Sequence, residues 1–295
     1  MTTTAPKHVS PDNPNLFRPG AYDNVFEYLK ATWDSRELIV VLSNARLNSK
    51  NAGNHLGRAW LYLEPALQIS VYALVFGVGL RLGQGVDGFV SWLAVGQIVF
   101  GFSQRAITSS AVSIDNNRGM LGAFAFPRLV LPAATTLFTL RLYVNSIVPV
   151  GVAVLAQGFR PSLTWLLMPF AIVAQALFNF GAGAFVARIG ESLPDVAPAL
   201  AQLFRLLFFT SMVLFPASRF EDSDHWAGQL FYNLLPINPF YAYIHIVRRV
   251  LLGYESPHFG WILISATVWT VSATVAGIIL FFRAEGLLGA ARVRR

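Results

Sequence analysis

Side chains able to bind a nucleotide are missing from this sequence. A phosphate-binding loop needs Gly-Lys followed by Ser or Thr, because its backbone amides cradle the phosphates while the Lys neutralises them. None of the three Lys residues follows a Gly, and the residues after them are His8, Ala31 and Asn51. We therefore expect no ATP site and no cofactor on this chain.

The sequence also has no motif typical of metal binding or of acid–base catalysis. The chain has no Cys, no Ser-His-Asp elbow and no spacing typical of metal ligands among its five His residues, which are His8, His55, His225, His245 and His258. Ion-coupled carriers usually keep an acidic or His side chain inside the bundle. The 15 acidic residues fall in tails, loops or span boundaries, with Glu64 closest to the membrane. These patterns predict no catalytic or metal-binding residues and disfavour ion coupling.

The composition indicates an integral membrane protein instead. Of 295 residues, 55% are hydrophobic and 13% charged, whereas roughly a quarter of the residues in a soluble domain are charged. A hydrocarbon core of about 30 Å requires close to 20 apolar residues in a helix. Six stretches meet this need, at residues 66–82, 88–107, 129–156, 163–186, 199–215 and 261–282. We therefore predict an all-α protein with six transmembrane helices.

A seventh apolar stretch, at residues 230–247, is interrupted by Pro236 and Pro239 and closed by Arg248 and Arg249. Its unbroken parts are too short to cross, so we predict two short re-entrant or interfacial helices within about residues 219–253. Fifteen of the 22 Lys and Arg residues then lie on one side of the six spans, counting Arg105 in the loop after span two, and five on the other. Positive loops stay cytoplasmic, so both termini are predicted to be cytoplasmic.

The residues before the first span divide into two parts. Residues 1–25 are polar and Pro-rich, which is typical of a disordered tail. In the following part, residues 26–58, the stretch 35–51 places Leu38, Val41, Leu42 and Ala45 on one helical face. We predict an amphipathic interface helix along the cytoplasmic membrane surface, with a soluble helix as the alternative. Residues 59–295 then form the six-helix domain.

Four stretches, in this order, resemble permeases of type-2 ABC exporters, especially those for O-antigen, teichoic acid and galactan. They are HLGRAWLYLEPALQISVYALVFGVGL at 55–80, NRGMLGAFAFPRLVLPAA at 117–134, ARIGESLPDVAPALAQLF at 187–204 and LLPINPFYAYIHIVRRVLLG at 234–253. The ordered set extends through most of the chain. The resemblance implies a homodimer that joins two copies of a separate P-loop subunit, with ATP and Mg²⁺ bound by that partner. It implies a cargo of polysaccharide linked to polyprenyl pyrophosphate.

The resemblance also implies three functional regions. The loop 111–128 would hold the helix that docks on the ATPase, centred on Asp115, Asn116, Asn117 and Arg118. A turn near the lipid-headgroup entrance would contain Leu56, Gly57 and Arg58. The two short helices before the last span would be external gate helices, and they would include Asn238, Pro239, Arg248 and Arg249.

A path for glycan needs few charges and many aromatic faces, because sugar C–H groups pack favourably on rings. Candidate rings are Tyr72, Tyr143, Phe231, Tyr232, Phe240, Tyr241 and Tyr243. Arg141 and Arg205 lie within predicted spans, where each would meet pyrophosphate or sugar hydroxyls, or else form a structural hydrogen bond to a neighbouring carbonyl.

These observations predict the permease subunit of an ABC transporter in the bacterial cytoplasmic membrane. Its cargo would be a polyprenyl-pyrophosphate-linked polysaccharide, and the excess of Arg over Lys favours cell-wall galactan as that polysaccharide. One alternative is a type-2 ABC permease for a drug, peptide or lipid. Another is an ion-coupled carrier or a membrane-bound enzyme. Nucleic acid is not an expected partner.

Overall fold

The computed structural model describes residues 9–10, 13–17, 22–51, 56–79, 86–220, 225–256 and 258–293. Most of the predicted tail, His8, His55 and residues 221–224 lie outside them. The helices are α1 (Val25–Asp34), α2 (Arg36–Asn51), α3 (Trp60–Tyr72), α4 (Phe89–Ala111), α5 (Arg118–Ala123), α6 (Val130–Ala156), α7 (Met168–Ser192), α8 (Val196–Thr210), α9 (Trp226–Leu234), α10 (Pro239–Leu252) and α11 (Phe259–Val293).

Shorter elements extend or separate these helices. A 3₁₀ turn at Gly57–Ala59 leads into α3, and a π-helical segment at Ala73–Gly79 continues it. Further 3₁₀ turns lie at Asp115–Asn117, Leu163–Leu167, Ala217–Phe220 and Leu235–Ile237. Two short strands, β1 (Val9–Ser10) and β2 (Asn13–Phe17), pair antiparallel. They lie in the stretch for which composition predicts a disordered tail.

Four helical segments are long and apolar enough to cross a membrane: Gly57–Gly79, Val130–Ala156, Leu163–Ser192 and Phe259–Gly286. The chain is thus a helical protein with several membrane-crossing candidates, and four of the six predicted spans coincide with them. The other two predicted spans correspond to α4 and α8. The latter is apolar but has only 15 residues.

Helix α4 is long enough to cross but less apolar, because it is surrounded by other helices rather than by lipid. Its 23 residues span about 35 Å. Most of its side chains are buried, including Ser91 and Ser103 against α6 and α7 and Gln97 beside α3. Arg105, counted above with the loop after span two, lies within this helix. A helix shielded in this way can carry polar side chains that a lipid-facing helix cannot.

Close backbone contact joins α7 to α11. A Cβ atom at Gly181 would lie 2.3 Å from the backbone nitrogen of Thr274, and one at Gly277 would lie 2.5 Å from the Gly181 carbonyl oxygen. Gly183 meets α4 in the same manner, with Ser110 Oγ 2.7 Å from the position of an added Cβ. Small residues allow membrane helices to approach closely and gain dispersion contacts. These glycines therefore serve packing.

The predicted interface helix coincides with α2, which packs along α6. Of the predicted apolar face, Leu38 and Leu42 pack against the buried cluster that includes Leu131 of α6, whereas Val41 is 59% exposed. Polar contacts also join the two helices: Arg46 donates a hydrogen bond to Thr135 Oγ1 of α6, and Arg141 of α6 donates one to Ser43 Oγ at 3.0 Å. Hydrophobic spacing alone cannot reveal such contacts.

The apolar stretch before α11 is broken where its prolines stand. Helix α9 ends at Leu234, a 3₁₀ turn contains Pro236, and Pro239 occupies the first position of α10, where a missing N–H costs nothing. The Asn238 side chain caps α10 by accepting hydrogen bonds from the amides of Phe240 and Tyr241. The segment therefore consists of two short helices.

Candidate functional site

A cleft of about 720 Å³ lies between α3, α4 and α8 and combines polar and aromatic walls. One face of α3 lines it with residues spaced four apart, which are Glu64, Gln68, Tyr72 and Phe76. One face of α4 contributes Gln97, Gly101, Gln104, Arg105 and Thr108. Helix α8 contributes Phe204, Arg205, Phe208 and Phe209. Since residues three or four apart share a helix face, three regular helices suffice to build this surface.

The polarity of the cleft changes along its length. On α3 the lining reads Glu64, Gln68, Tyr72 and then Phe76, from the start of the helix toward its end. At 1.5 Å per residue, these four positions extend over about 18 Å. Helix α4 supplies Arg105 and Thr108 toward its carboxyl end, and α8 supplies Arg205 before Phe208. Charged groups thus occupy one end and rings the other.

The aromatic end of the cleft is a continuous cluster of rings. The Tyr72 and Phe76 rings stack with centroids 5.5 Å apart, and Tyr72 also contacts Phe208 at 6.1 Å. Phe100 of α4 meets Phe208 edge to face, with centroids 5.4 Å apart. These rings present apolar faces and no charge, which is the kind of surface that sugar C–H groups contact favourably.

At the polar end of the cleft, some side chains have hydrogen-bond or ion-pair partners and others have none. Glu64 forms an ion pair with Lys50, in which Oε2 lies 2.8 Å from Nζ. Arg205 donates to Gln202 Oε1 at 3.2 Å within its own helix. Among the described residues, Arg105 makes no hydrogen bond or ion pair, although the charge of Glu64 acts on it, and Gln97 Oε1 is buried without a partner. The cleft therefore offers N–H donors on a cation and a free acceptor.

Of the predicted path residues, Tyr72 and Arg205 line this cleft and the others lie elsewhere. Arg141 donates hydrogen bonds to Ser43 Oγ and Asn44 Oδ1 of α2, which is the structural role given above as its alternative. Tyr143 is 1% exposed and stacks on Phe102 at 4.7 Å. Buried in the helix core, it is away from the cleft.

The remaining predicted rings lie in or near the two short helices before α11. Tyr241 and Tyr243 are buried in the core, with Tyr241 beside His245 at 5.6 Å between ring centroids. The Phe231 ring packs on Phe220 and the Tyr232 ring on His258. Phe240 also packs in the core, where its ring meets Phe100 of the cleft lining at 5.8 Å.

The predicted gate residues have individual structural roles. Besides capping α10, Asn238 donates from Nδ2 to Ser211 Oγ at 3.0 Å, so it joins α10 to the turn after α8. Arg249 is partly exposed, and its guanidinium lies 4.0 Å from the centre of the Phe259 ring.

Arg248 is 1% exposed and binds three backbone carbonyls. It donates to Trp92 O at 3.1 Å, and to Met212 O and Val213 O at 2.9 Å each. Its guanidinium also lies 3.5 Å from the centre of the Trp92 ring. A Cβ at Gly96 would come within 2.4 Å of Arg248 Nη2, so the buried cation needs a glycine there. Arg248 thus joins α4, α10 and the turn after α8.

The predicted entrance residues form a turn before α3. The Ala59 amide donates to the Leu56 carbonyl at 3.0 Å, and Gly57 has φ +49°, a conformation that favours glycine. Leu56 is 53% exposed, and Arg58 is also exposed. The turn therefore presents an apolar and a cationic side chain outward.

The predicted coupling residues form a compact exposed turn ahead of α5. Arg118 donates to the Asp115 carboxylate at 2.9 Å, and Asn117 Nδ2 donates to Ser113 O at 2.6 Å. Asn116 is exposed. After α5, Phe124 is 67% exposed between small neighbours. The loop thus has internal order and an outward-facing apolar tip.

A buried polar cluster that the sequence patterns did not indicate lies beside this loop. The Arg128 backbone N–H donates to Glu285 at 3.0 Å, and its guanidinium pairs with Glu191 at 2.6 Å. The Leu129 N–H donates to the Tyr28 hydroxyl at 3.3 Å. Burial, followed by the negative charge of Glu285, raises the pKa of Tyr28 well above its usual range. The hydroxyl therefore remains protonated.

Within the described residues, no group of three or more His, Asp and Glu side chains is placed to hold a metal ion.

Sequence comparison adds three curated relatives. The chain is 26% identical over 257 residues to the O-antigen export system permease protein RfbA of Myxococcus xanthus, covering 87% of this chain and 96% of the relative. It is 23% identical to RfbA of Klebsiella pneumoniae, covering 64% of this chain and 73% of the relative. It is 22% identical to the polysialic acid transport protein KpsM of Escherichia coli, covering 68% and 76%.

No family model matches the chain. The match to the Myxococcus relative nevertheless covers 87% of the chain, which is enough to include the cleft, the exposed loop and the paired short helices. The resemblance inferred from four sequence stretches is therefore confirmed: the curated homologues of this chain are permeases of polysaccharide exporters of the type-2 ABC family.

Proposed function

We propose that this chain is the permease subunit of an ABC transporter that exports a polyprenyl-pyrophosphate-linked polysaccharide across the bacterial cytoplasmic membrane. The cleft between α3, α4 and α8 carries this proposal, because it passes from charged groups to aromatic rings along one direction. Charges suit an anionic headgroup at the loading end, and rings suit the sugars that follow. Cell-wall galactan is a specific cargo consistent with the Arg-rich composition.

Six spans are proposed, with α4 and α8 added to the four long apolar helices. Helix α4 is long enough, and α8 together with the turn after it extends to residue 215. In this arrangement both termini are cytoplasmic, and α9 and α10 form external gate helices. The polar cluster supports the topology, because it gathers α1, the start of α6, the end of α7 and the end of α11. All four belong to the same side when the chain crosses six times.

A separate ATPase supplies the energy in this proposal, and two copies of it bind a homodimer of this chain. ATP and Mg²⁺ belong to that partner. The loop from Asp115 to Arg118, continued by α5 and the exposed Phe124, is the proposed docking surface. An exposed aromatic side chain beside ordered polar groups is typical of an interface anchor. The second copy would close the open side of the cleft.

Depletion of the chain in its native cells tests the cargo, and purification of a tagged chain tests the partner. We expect polyprenyl-linked glycan to accumulate on the cytoplasmic side, and a P-loop ATPase to copurify in equal amount. Phe124→Ser should weaken that association, whereas Phe26→Ser, which alters a ring on α1 that is even more exposed (84% against 67%), serves as the control. Normal glycan export during depletion, or an intact homodimer without ATPase, would contradict the proposal.

A further inference from the structure

Arg105 lies at the polar end of the cleft, where the charge of Glu64 acts on it but no described residue forms a hydrogen bond or ion pair with it. Its guanidinium folds over Gly101, where an added Cβ would lie 3.4 Å from Nη2. The nearest acid on the cleft wall, Glu64, is already paired with Lys50. A cation at membrane depth is costly unless it faces water or an anion. Arg105 is therefore positioned to bind a negatively charged group that enters the cleft.

Gln97 offers the complementary group toward the aromatic end. Its side chain is 9% exposed, its Nε2 reaches Gln68 Oε1 only at 3.5 Å, and its Oε1 has no partner. A buried acceptor without a donor is unfavourable, and a ligand hydroxyl would satisfy it. Tyr72 stands one helical turn beyond Gln68 on the same wall, so a ring face is available beside this acceptor.

The spacing of the two groups indicates the shape of the ligand. Gln97 and Arg105 are eight residues apart on one face of α4, which corresponds to about 12 Å along the helix. The Arg105 guanidinium folds over Gly101, one turn nearer to Gln97, so the gap between the two binding groups is shorter than this rise and suits a phosphate joined directly to a sugar ring.

We propose that Arg105 and Gln97 form a two-part substrate site, in which Arg105 binds a phosphate or diphosphate group and Gln97 accepts a hydrogen bond from a hydroxyl of the attached sugar. This inference rests on the proposed export function and specifies how the cleft recognises its cargo. The anion belongs to the glycolipid, and the phosphate of a bilayer lipid is the competing source.

Binding to the purified full-length chain in phosphatidylcholine nanodiscs tests the phosphate half. The probes are farnesyl diphosphate, uncharged farnesol and phosphatidylglycerol. Farnesyl diphosphate should bind the wild type better than farnesol does. Arg105→Gln should weaken its binding about tenfold to a hundredfold, because a hydrogen bond to a charged group is lost. Arg105→Lys should fall between the two, since it keeps the charge without the planar fork. Arg160→Gln, at an exposed position outside the cleft lining, should bind as the wild type does.

The sugar half is tested with farnesyl diphosphate that carries one N-acetylglucosamine. Gln97→Leu should weaken binding of this probe and leave that of farnesyl diphosphate unchanged. Equal affinity of wild type and Arg105→Gln for farnesyl diphosphate would overturn the phosphate half. Displacement of the probe by an equal concentration of phosphatidylglycerol would assign the anion to a bilayer lipid and overturn the substrate assignment.

These outcomes are separable from failure of the proposed function. If depleted cells accumulate glycan while Arg105→Gln binds as the wild type does, only the two-part site is wrong. If depleted cells export glycan normally, the proposed function is wrong, whatever the probes bind.

Discussion

The backbone N–H of Arg128 donates a 3.0 Å hydrogen bond to the carboxylate of Glu285, although the two residues stand 157 positions apart in the chain. The next amide, that of Leu129, donates to the hydroxyl of Tyr28. Helices α1 and α11 thus bind two successive amides at the point where the exposed loop enters α6. The position of the loop therefore depends on both α1 and α11.

Tyr28→Phe should destabilise this junction. The substitution removes only the hydroxyl and leaves the buried amide of Leu129 without its acceptor, which costs about 1–3 kcal/mol. Thermal unfolding of the purified chain should occur at a lower temperature than in the wild type. Tyr62→Phe is the matched control, because Tyr62 is 44% exposed on α3. A midpoint equal to that of the wild type would show that the hydroxyl carries no stability.

The contact between Arg248 of α10 and Gly96 of α4 predicts that substitutions at these two positions have coupled effects on stability. Gly96→Ala should destabilise the protein by about 1–3 kcal/mol, because the added methyl displaces Arg248 from the carbonyls of Trp92 and Val213. Arg248→Lys should also destabilise it, since an ammonium cannot reproduce the planar fork. The double variant should lose less stability than the two single losses combined, because the clashing Nη2 is already gone. A thermal or denaturant unfolding series measures all four proteins, and strict additivity would refute the contact.

The close contact between α7 and α11 predicts that a Gly→Ala substitution lowers stability inside this contact and does not lower it elsewhere. Gly181→Ala places a methyl group against the backbone of Thr274 and should destabilise the protein or separate the helices. Gly151→Ala, within α6, meets nothing within 4 Å and should be neutral or slightly stabilising because Ala favours helix. Unfolding midpoints compare the two variants. Equal effects at both positions would contradict the close approach.

Apolar patterning was sufficient to locate most of the architecture. The long apolar helices, the break at Pro236 and Pro239 and the helix at residues 36–51 all follow from local sequence. Glu64, Gln68 and Tyr72 are four residues apart, but this spacing does not reveal that α4 and α8 line the same cleft.

Contacts between distant segments set the limit of sequence analysis. The family resemblance placed Arg248 among the gate residues, but it could not show that the acceptors of this side chain are Trp92, 156 positions away, and Met212. Glu285 stands at the end of an apolar helix, as many solvated charges do, and only its pairing with the Arg128 amide identifies it as structural. Such roles depend on three-dimensional proximity.

Arg141 provides a last test, because the structure assigns it to the junction of α2 and α6. Arg141→Ala removes the hydrogen bonds to Ser43 and Asn44, so α2 should be held less firmly against α6. Amide hydrogen exchange in residues 36–51 should become faster, while exchange in α7 and α11 stays as in the wild type. Export should fall because α2 is loosened, with dimer and ATPase association retained. If amide exchange in α2 is unchanged while export is lost, Arg141 contacts the cargo instead of only holding α2.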